Sequence, residues 1–305
     1  MQRRLKDYLV ISFKGLAMGA ADAVPGVSGG TIAFISGIYE ELINTISNVN
    51  ASLFKTLFSK GLNTFWKQAN GNFLLALLSG IIISFVSFMK LAKYLLEHHP
   101  ILIWAFFFGL IVASIYFVGK QITKWNLASI IALIVGAGIA FYISQLAALG
   151  TNENPWFLFF AGAIAICAMI LPGISGSFIL IILGAYKTLS DAIHDIDIKK
   201  IIIFGTGALV GLLSFSHVLK WLFKNYHNIT LALLTGFIFG SLNKVWPWKN
   251  TLTWHTNSKG IKTPLLQESM SPFSFEGNNQ FMFALILMIL GFLTIFILER
   301  LGSKK

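Results

Sequence analysis

The chain has little cysteine, little arginine and little charge of any kind. Only 11% of its 305 residues are charged, and Cys167 is its one cysteine. A single cysteine excludes an intrachain disulfide, and the scattered histidines form no metal-ligand pattern, so neither a metal nor a cofactor is expected. The three arginines are Arg3, Arg4 and Arg300, all near the ends of the chain. No arginine in the interior can therefore clamp a phosphoryl group as an enzyme would require, and no catalytic residues are predicted.

Hydrophobic residues dominate what is present. They make up 56% of the sequence, and the mean hydropathy is +0.75, which is typical of a polytopic membrane protein. The formal net charge of +11 is spread over lysines in loops, without a run of five like charges. This distribution favours an orientation signal beside a bilayer and argues against a nucleic-acid partner.

Six apolar stretches are long enough to cross a bilayer, which takes roughly 20 residues. They lie near 73–96, 101–119, 127–148, 201–223, 229–246 and 280–299. Two further regions, 8–46 and 156–193, have apolar arms of only about 14–18 residues on either side of a Pro-Gly break. Short arms around a break predict re-entrant helical hairpins. The predicted fold is an all-α polytopic membrane protein with a single membrane domain over 1–305.

The two hairpin regions carry the same loop. The segment from Val24 to Thr31 (VPGVSGGT) returns 147 positions later as Leu171 to Phe178 (LPGISGSF). Further matches extend the similarity over most of the chain, and they include Gly37 with Gly184, Tyr39 with Tyr186, Gly80 with Gly207 and Gly109 with Gly236. We therefore expect a first repeat over 1–148 and a second over 149–305, which has an extended outer loop at 247–279. Each repeat would contain one hairpin and three spans.

An odd number of crossings per repeat inverts the second repeat relative to the first. The outer loops 97–100 and 149–155 contain no lysine or arginine, whereas both chain ends are basic. The positive-inside rule therefore predicts that the N-terminus and the C-terminus are cytoplasmic. The two hairpins would enter from opposite sides, with their tips meeting near the middle of the membrane.

Small and hydroxyl residues follow each Pro-Gly break, where a new helix begins. The candidate phosphate-binding residues are Ser28, Gly29, Gly30 and Thr31 in the first loop, and Ser175, Gly176 and Ser177 in the second. Free N–H groups at a helix N-terminus, together with hydroxyl donors, form an anion site. The alternative is that each motif only makes a tight break, with its serine capping the next helix.

Three charged side chains are further candidates. Asp22 lies near the first break, and an acid at membrane depth is a candidate for proton coupling or gating. Its alternative role is to cap a half-helix. Lys93 and Lys220 match in the repeat and are predicted near opposite ends of the pore. They either steer an anionic headgroup or extend to the membrane surface.

The motif from Asp22 to Thr31 (DAVPGVSGGT), followed by Gly37 to Leu42 (GIYEEL), resembles the signature of the bacterial polyprenyl-phosphate transporter family. The second loop, with Gly184 and Tyr186, is also similar. The resemblance implies translocation of undecaprenyl phosphate across the bacterial cytoplasmic membrane, which recycles this carrier lipid for cell-wall synthesis. Neither loop has the lysine of an ATP-binding P-loop. The expected driving force is therefore a gradient, with protons as the candidate coupling ion, and the alternative is that the protein only equilibrates the lipid between the two leaflets.

Two other functions stay open. An undecaprenyl-pyrophosphate phosphatase would also have inverted hairpins with a Pro-Gly-x-Ser loop, but its loop continues with an arginine, where this chain has Gly29 and Gly176. A channel or exchanger for a small inorganic anion would use the same two loops. A purely structural scaffold would not need two broken hairpins.

Overall fold

The computed structural model describes residues 3–22, 28–146, 149, 152, 154–256 and 262–302. The chain is predominantly helical, as the sequence predicts. The helices of the first half are α1 (Leu5–Asp22), α2 (Gly29–Ile35), α3 (Tyr39–Ser47), α4 (Ala51–Gln68), α5 (Gly71–His98), α6 (Pro100–Gly119) and α7 (Leu127–Gln145). Those of the second half are α8 (Pro155–Ile170), α9 (Gly176–Ile182), α10 (Ala185–His194), α11 (Ile198–Gly240), α12 (Leu242–Val245) and α13 (Phe281–Gly302).

The hairpin regions have matching helix boundaries. Helices α2 and α9 each have seven residues, and their first residues, Gly29 and Gly176, are 147 positions apart. Each of the two helices is followed by a glycine, Gly37 or Gly184, and both glycines have φ of +71°. This left-handed conformation suits glycine and ends a helix. The returning arm of each hairpin is therefore two short helices, and α9 and α10 meet at a bend of 110°.

Each of the six apolar stretches predicted to span a membrane falls in a helix. Helices α5, α6 and α7 account for the first three, and α13 for the last. The two stretches between them form one helix, α11, which is interrupted at Tyr226 (φ −137°, ψ 47°). Within the described residues, four helices are long and apolar enough to cross a membrane, or five if α9 and α10 together make one span.

Glycines bring pairs of helices into backbone contact. A β-carbon on Gly15 or Gly19 of α1 would collide with the carbonyl group of Leu77 or Ile81 in α5, respectively. Because the residue numbers rise together along the two helices, α1 and α5 run parallel. The second hairpin repeats this arrangement, since Gly207 and Gly211 of α11 contact the backbone of α8 at Phe159 and Ala163.

Two more glycine contacts join the first half of the chain to the second. Gly109 of α6 lies against the backbone of Met288 in α13. Gly236, in the part of α11 after Tyr226, lies against the backbone of Leu133 in α7. Helices from the two halves are thus packed together through the middle of the bundle, where the largest group of buried apolar side chains lies.

Two elements were not predicted from the sequence. Residues 51–68 form helix α4, which bends at Gly61 (φ +80°) and exposes apolar side chains such as Phe58 and Leu62. The long loop 247–279 contains an antiparallel hairpin of β1 (Lys249–Thr256) and β2 (Lys262–Ser269). Trp248, beside this hairpin, is 2% exposed and donates its indole N–H to the carbonyl of Asn279 at 2.9 Å.

Candidate functional site

Described residues beside the two Pro-Gly breaks contact each other. The Ser28 hydroxyl donates to the carbonyl of Met169 at 3.3 Å, and the Tyr39 hydroxyl donates to the carbonyl of Ile170 at 3.1 Å. The N–H of Gly173 donates to Thr31 Oγ1 at 2.9 Å. Polar groups of the first hairpin therefore bond directly to the second loop, so the two loops form one continuous site.

Charged side chains of α1 hold both ends of α2. Asp22 Oδ1 accepts a hydrogen bond of 2.6 Å from the N–H of Gly29, the first residue of α2. Lys14 Nζ donates to the carbonyl of Ser36, just after the other end of α2, at 2.6 Å. An anion at the N-terminus and a cation at the C-terminus both match the helix dipole. Asp22 thus occupies the N-terminus of α2, where the sequence predicted a ligand phosphate; this is the capping role that was its alternative.

The first loop has few donors to spare. Ser28 is 3% exposed, and its hydroxyl donates to Met169 at the end of α8. Thr31 is 1% exposed, and its hydroxyl oxygen accepts from Gly173 of the second loop. The backbone at Gly30 lies close to the carbonyl oxygen of Ile170, so that a β-carbon there would come within 2.7 Å of that atom. The apex of this loop, residues 23–27, lies outside the described residues.

The second loop is arranged differently. The positions that match Asp22 and Lys14 are Met169 and Ala161, so α9 has no such charged partners from α8. The hydroxyls of Ser175 and Ser177 lie 2.9 Å apart, and Ser175 makes no side-chain cap to α9. Gly176 is buried, Ser175 is half-buried and Ser177 is exposed. The serine hydroxyls of this loop are therefore nearer to open space than those of the first loop.

A small open recess lies beside the second loop. Its lining residues come from α7, the second loop, α9 and the segment from the residue after α11 into α12, and they are Ala140, Ile143, Ser144, Gly173, Ile174, Ser175, Phe178, Ser241 and Lys244. Lys244 gives the recess a positive charge and Ser175 adds a hydroxyl, whereas the hydroxyls of Ser144 and Ser241 donate to main-chain carbonyls. This combination suits an anion.

Lys244 was not among the residues singled out from the sequence. Its Nζ lies 3.9 Å from the centre of the Phe178 ring. Within the part of the chain that the structure describes, this ammonium has neither a carboxylate nor a hydrogen-bond acceptor. The signal was present in the sequence, because Lys244 is the only charged residue of the predicted span 229–246 and intramembrane charges are functional candidates.

A second lysine lies beside the first. Lys249 Nζ donates to the main-chain carbonyl of Lys244 at 2.5 Å and lies 4.0 Å from the centre of the Trp104 ring. Burial, and to a smaller extent the charge of Lys244, lower the pKa of Lys249 to about 7. The end of the molecule that carries the β-hairpin thus has two neighbouring ammonium groups near the recess.

The opposite end of the molecule is tied together by polar side chains. Lys220 Nζ donates to Asn48 Oδ1 at 3.0 Å, which joins α11 to the end of α3. Arg3 makes two hydrogen bonds of 2.6 Å to the carboxylate of Glu41, and the bond to Glu41 raises the pKa of Arg3. Of the two lysines predicted to steer a headgroup, Lys220 therefore lies at this tied end. Lys93 lies in α5, and its side chain is outside the described part of the structure.

Sequence comparisons identify the family of the chain. A family model described as undecaprenyl phosphate translocase-like matches residues 18–263. A polyprenyl-phosphate transporter of Vibrio cholerae is 46% identical over the full length of both chains. A polyprenyl-phosphate transporter of Staphylococcus aureus is 31% identical over 77% of this chain and 84% of its own length. No solved structure gives a significant match. With both loops and the recess inside the matched range, the chain belongs to the undecaprenyl phosphate translocase-like family.

Proposed function

We propose that this protein transports a polyprenyl phosphate lipid, with undecaprenyl phosphate as the expected cargo, across the bacterial cytoplasmic membrane. Membership of the translocase-like family and the names of both relatives support this function. The structural observation that carries it is the contact between two broken hairpins beside a recess lined by serines and a lysine. Non-helical backbone at membrane depth is tolerated where it lines a cavity, and transporters use such breaks to hold polar cargo.

The proposal includes an inverted repeat. Its support is the equal length of α2 and α9, the shared conformation of Gly37 and Gly184, and the parallel pairing of α1 with α5 and of α8 with α11. Both termini would be cytoplasmic, and the β-hairpin end would face outward. In this orientation the hydrogen bonds between Arg3 and Glu41 would hold the cytoplasmic side together, and the recess would be open on the outer side.

The two loops would bind the phosphate in turn. In the outward state Ser175, Gly176 and Ser177 receive it, because the corresponding donor in the first loop, the Gly29 N–H, is bonded to Asp22. Movement of the phosphate to Ser28, Gly29, Gly30 and Thr31 then requires Asp22 to release that N–H. Protonation of the carboxylate would release it, which couples phosphate transfer to a proton. The lipid tail would stay in the bilayer throughout, and Lys220 would meet the phosphate at the cytoplasmic end.

A transporter fits these residues better than a phosphatase does. Phosphoryl transfer needs charge stabilisation at the reacting phosphate, and arginine is the usual bidentate partner. Both loops have glycine at the position where the phosphatase loop has arginine, and each arginine of the chain is near a terminus. A channel or exchanger for a small anion remains the second candidate, because the lysine and serines of the recess also suit an inorganic anion.

The decisive experiment is transport by the purified full-length protein in liposomes. Polyprenyl phosphate is placed in both leaflets, and a membrane-impermeant phosphatase is added outside. We expect the protected inner pool to become accessible only when the protein is present. Continued protection would refute the transport function, release of phosphate from polyprenyl pyrophosphate without added phosphatase would identify an enzyme, and flux of inorganic phosphate alone would identify a small-anion transporter.

A further inference from the structure

The ammonium of Lys244 has no counter-charge in the structure described above. It lies against the face of Phe178, in a recess at the end of an apolar helix. The side chain of Lys249 donates to the main-chain carbonyl of Lys244 and is close enough for the two charges to interact. Two neighbouring cations repel each other, and burying an unpaired charge is costly. A simple extension of Lys244 to the membrane surface does not explain why the side chain lines the recess.

The surroundings of Lys244 supply what a phosphate ester needs. Ser175 lines the same recess, and its hydroxyl lies 2.9 Å from that of Ser177. Ser144 and Ser241 line the recess too, but their hydroxyls donate to main-chain carbonyls. Charge-assisted hydrogen bonds from an ammonium are about twice as strong as neutral ones. Gly173, also in the lining, donates to Thr31 of the first hairpin, so a ligand in the recess adjoins the contact between the two loops.

We propose that Lys244 is the phosphate-binding cation of the outward state and that it holds the headgroup against Ser175 and Ser177. The inference rests on the proposed function and adds a residue that has no counterpart in the other repeat, where the matching position is Phe117. The ligand is a phosphate monoester at the end of a lipid, since Phe178 gives the recess an apolar wall. The two loops are then unequal, because a lysine serves one and Asp22 occupies the other.

The test is equilibrium binding of farnesyl phosphate to the detergent-purified full-length protein, with inorganic phosphate and farnesyl pyrophosphate as competitors. We expect Lys244→Ala to weaken binding about tenfold to one-hundredfold, the range for loss of a hydrogen bond from a charged donor. Lys244→Arg keeps a charged donor and should restore most of the affinity. Lys199→Ala is the matched control, since Lys199 is an exposed lysine at the start of α11.

Each outcome decides between the alternatives. Wild-type affinity in Lys244→Ala, or an equal loss in Lys199→Ala, would overturn the role of Lys244 and leave the transport function intact. Failure of the wild-type protein to bind farnesyl phosphate would overturn the lipid ligand itself, and displacement by inorganic phosphate at equal concentration would point to a free anion.

If Lys244→Ala does not fold, binding is measured in Lys244→Arg and in the Ser175→Ala/Ser177→Ala double variant instead. Wild-type affinity in the double variant would refute the site, whereas weakened binding there, with most affinity kept in Lys244→Arg, would support it.

Discussion

Replacement of Asp22 by asparagine should uncouple transport from pH. The Asp22 carboxylate accepts the hydrogen bond from Gly29 N–H at 2.6 Å, so a phosphate can reach this N–H only after the carboxylate leaves. Two anions cannot share one helix N-terminus without strong repulsion. In the wild-type protein a proton must therefore neutralise Asp22 as the phosphate arrives. Asparagine is neutral at every pH, and its amide oxygen holds the Gly29 N–H less strongly than a carboxylate does, so release of this N–H no longer requires a proton.

The size of the effect follows from this one-proton step. When transfer requires one proton that is mostly absent, the rate falls up to about tenfold for each pH unit, equivalent to about 1.4 kcal/mol. The phosphate monoester itself titrates near pH 6, so the comparison belongs above about pH 7, where the monoester is fully ionised. Over the next pH unit we expect a decline approaching tenfold for the wild-type protein and a nearly flat profile for Asp22→Asn.

The assay is the phosphatase-accessibility experiment in liposomes, run with equal pH on both sides. Asp7→Asn is the matched control, because Asp7 is in the first turn of the same helix and accepts a hydrogen bond from the Arg4 N–H. Its pH profile should stay as in the wild-type protein. A wild-type slope in Asp22→Asn would show that Asp22 only caps α2, and proton coupling would have to be sought elsewhere.

Three more predictions concern contacts around the site. Thr31→Val leaves the N–H of Gly173 without its acceptor and should destabilise the protein by about 1–3 kcal/mol, read as a lower unfolding temperature in detergent. Glu41→Gln should weaken the partly exposed ion pair with Arg3 by only about 0.2–1 kcal/mol, which hydrogen exchange at the start of α1 would detect. The unfolded state keeps the proton of Lys249 up to a pH of about 10, whereas the folded state releases it near pH 7. The stability of the wild-type protein should therefore rise relative to Lys249→Met as the pH increases from about 7 to about 9.

Matched variants separate these effects from general damage. Thr31→Ser keeps the oxygen and should retain most of the stability; an equal loss would mean that the hydrogen bond is not the cause. Glu40→Gln, at the neighbouring residue, should leave exchange at the start of α1 unchanged, since Glu40 pairs with His227. For Lys249, pH profiles that run parallel in the two proteins would contradict a lowered pKa, and Lys199→Met should reproduce the wild-type profile.

The two hairpin regions could be matched from the sequence because the residues that repeat include glycines, which determine backbone conformation locally. Gly37 and Gly184 match in the repeat, and both adopt a positive φ, which glycine tolerates. That the two tips meet near the middle of the membrane is still a prediction. The site residues of the second loop lie beside a recess, but whether any of the seven candidates binds phosphate is still a prediction.

Other features depend on contacts between distant parts of the chain, which one sequence does not reveal. Asp22 could have faced a cavity, and only the fold shows that it bonds to Gly29. The sequence marks Lys244 as a charge in an apolar span, but only the fold shows that it lies over Phe178. The sequence does not indicate helix α4 or the β-hairpin, because their residues mix polar and apolar types without the long apolar runs that mark a span.

The contact between α6 and α13 has a consequence for biosynthesis. Gly109 and Met288 touch in the folded protein but are separated by 179 positions in the chain. At about 5–20 residues per second, roughly ten to forty seconds pass between the synthesis of one and the arrival of the other. During that interval lipid or an assembly factor must cover the groove at Gly109. A bulky residue there would allow each helix to insert normally and would block the last step of assembly, so the defect should appear as degradation of a fully inserted chain.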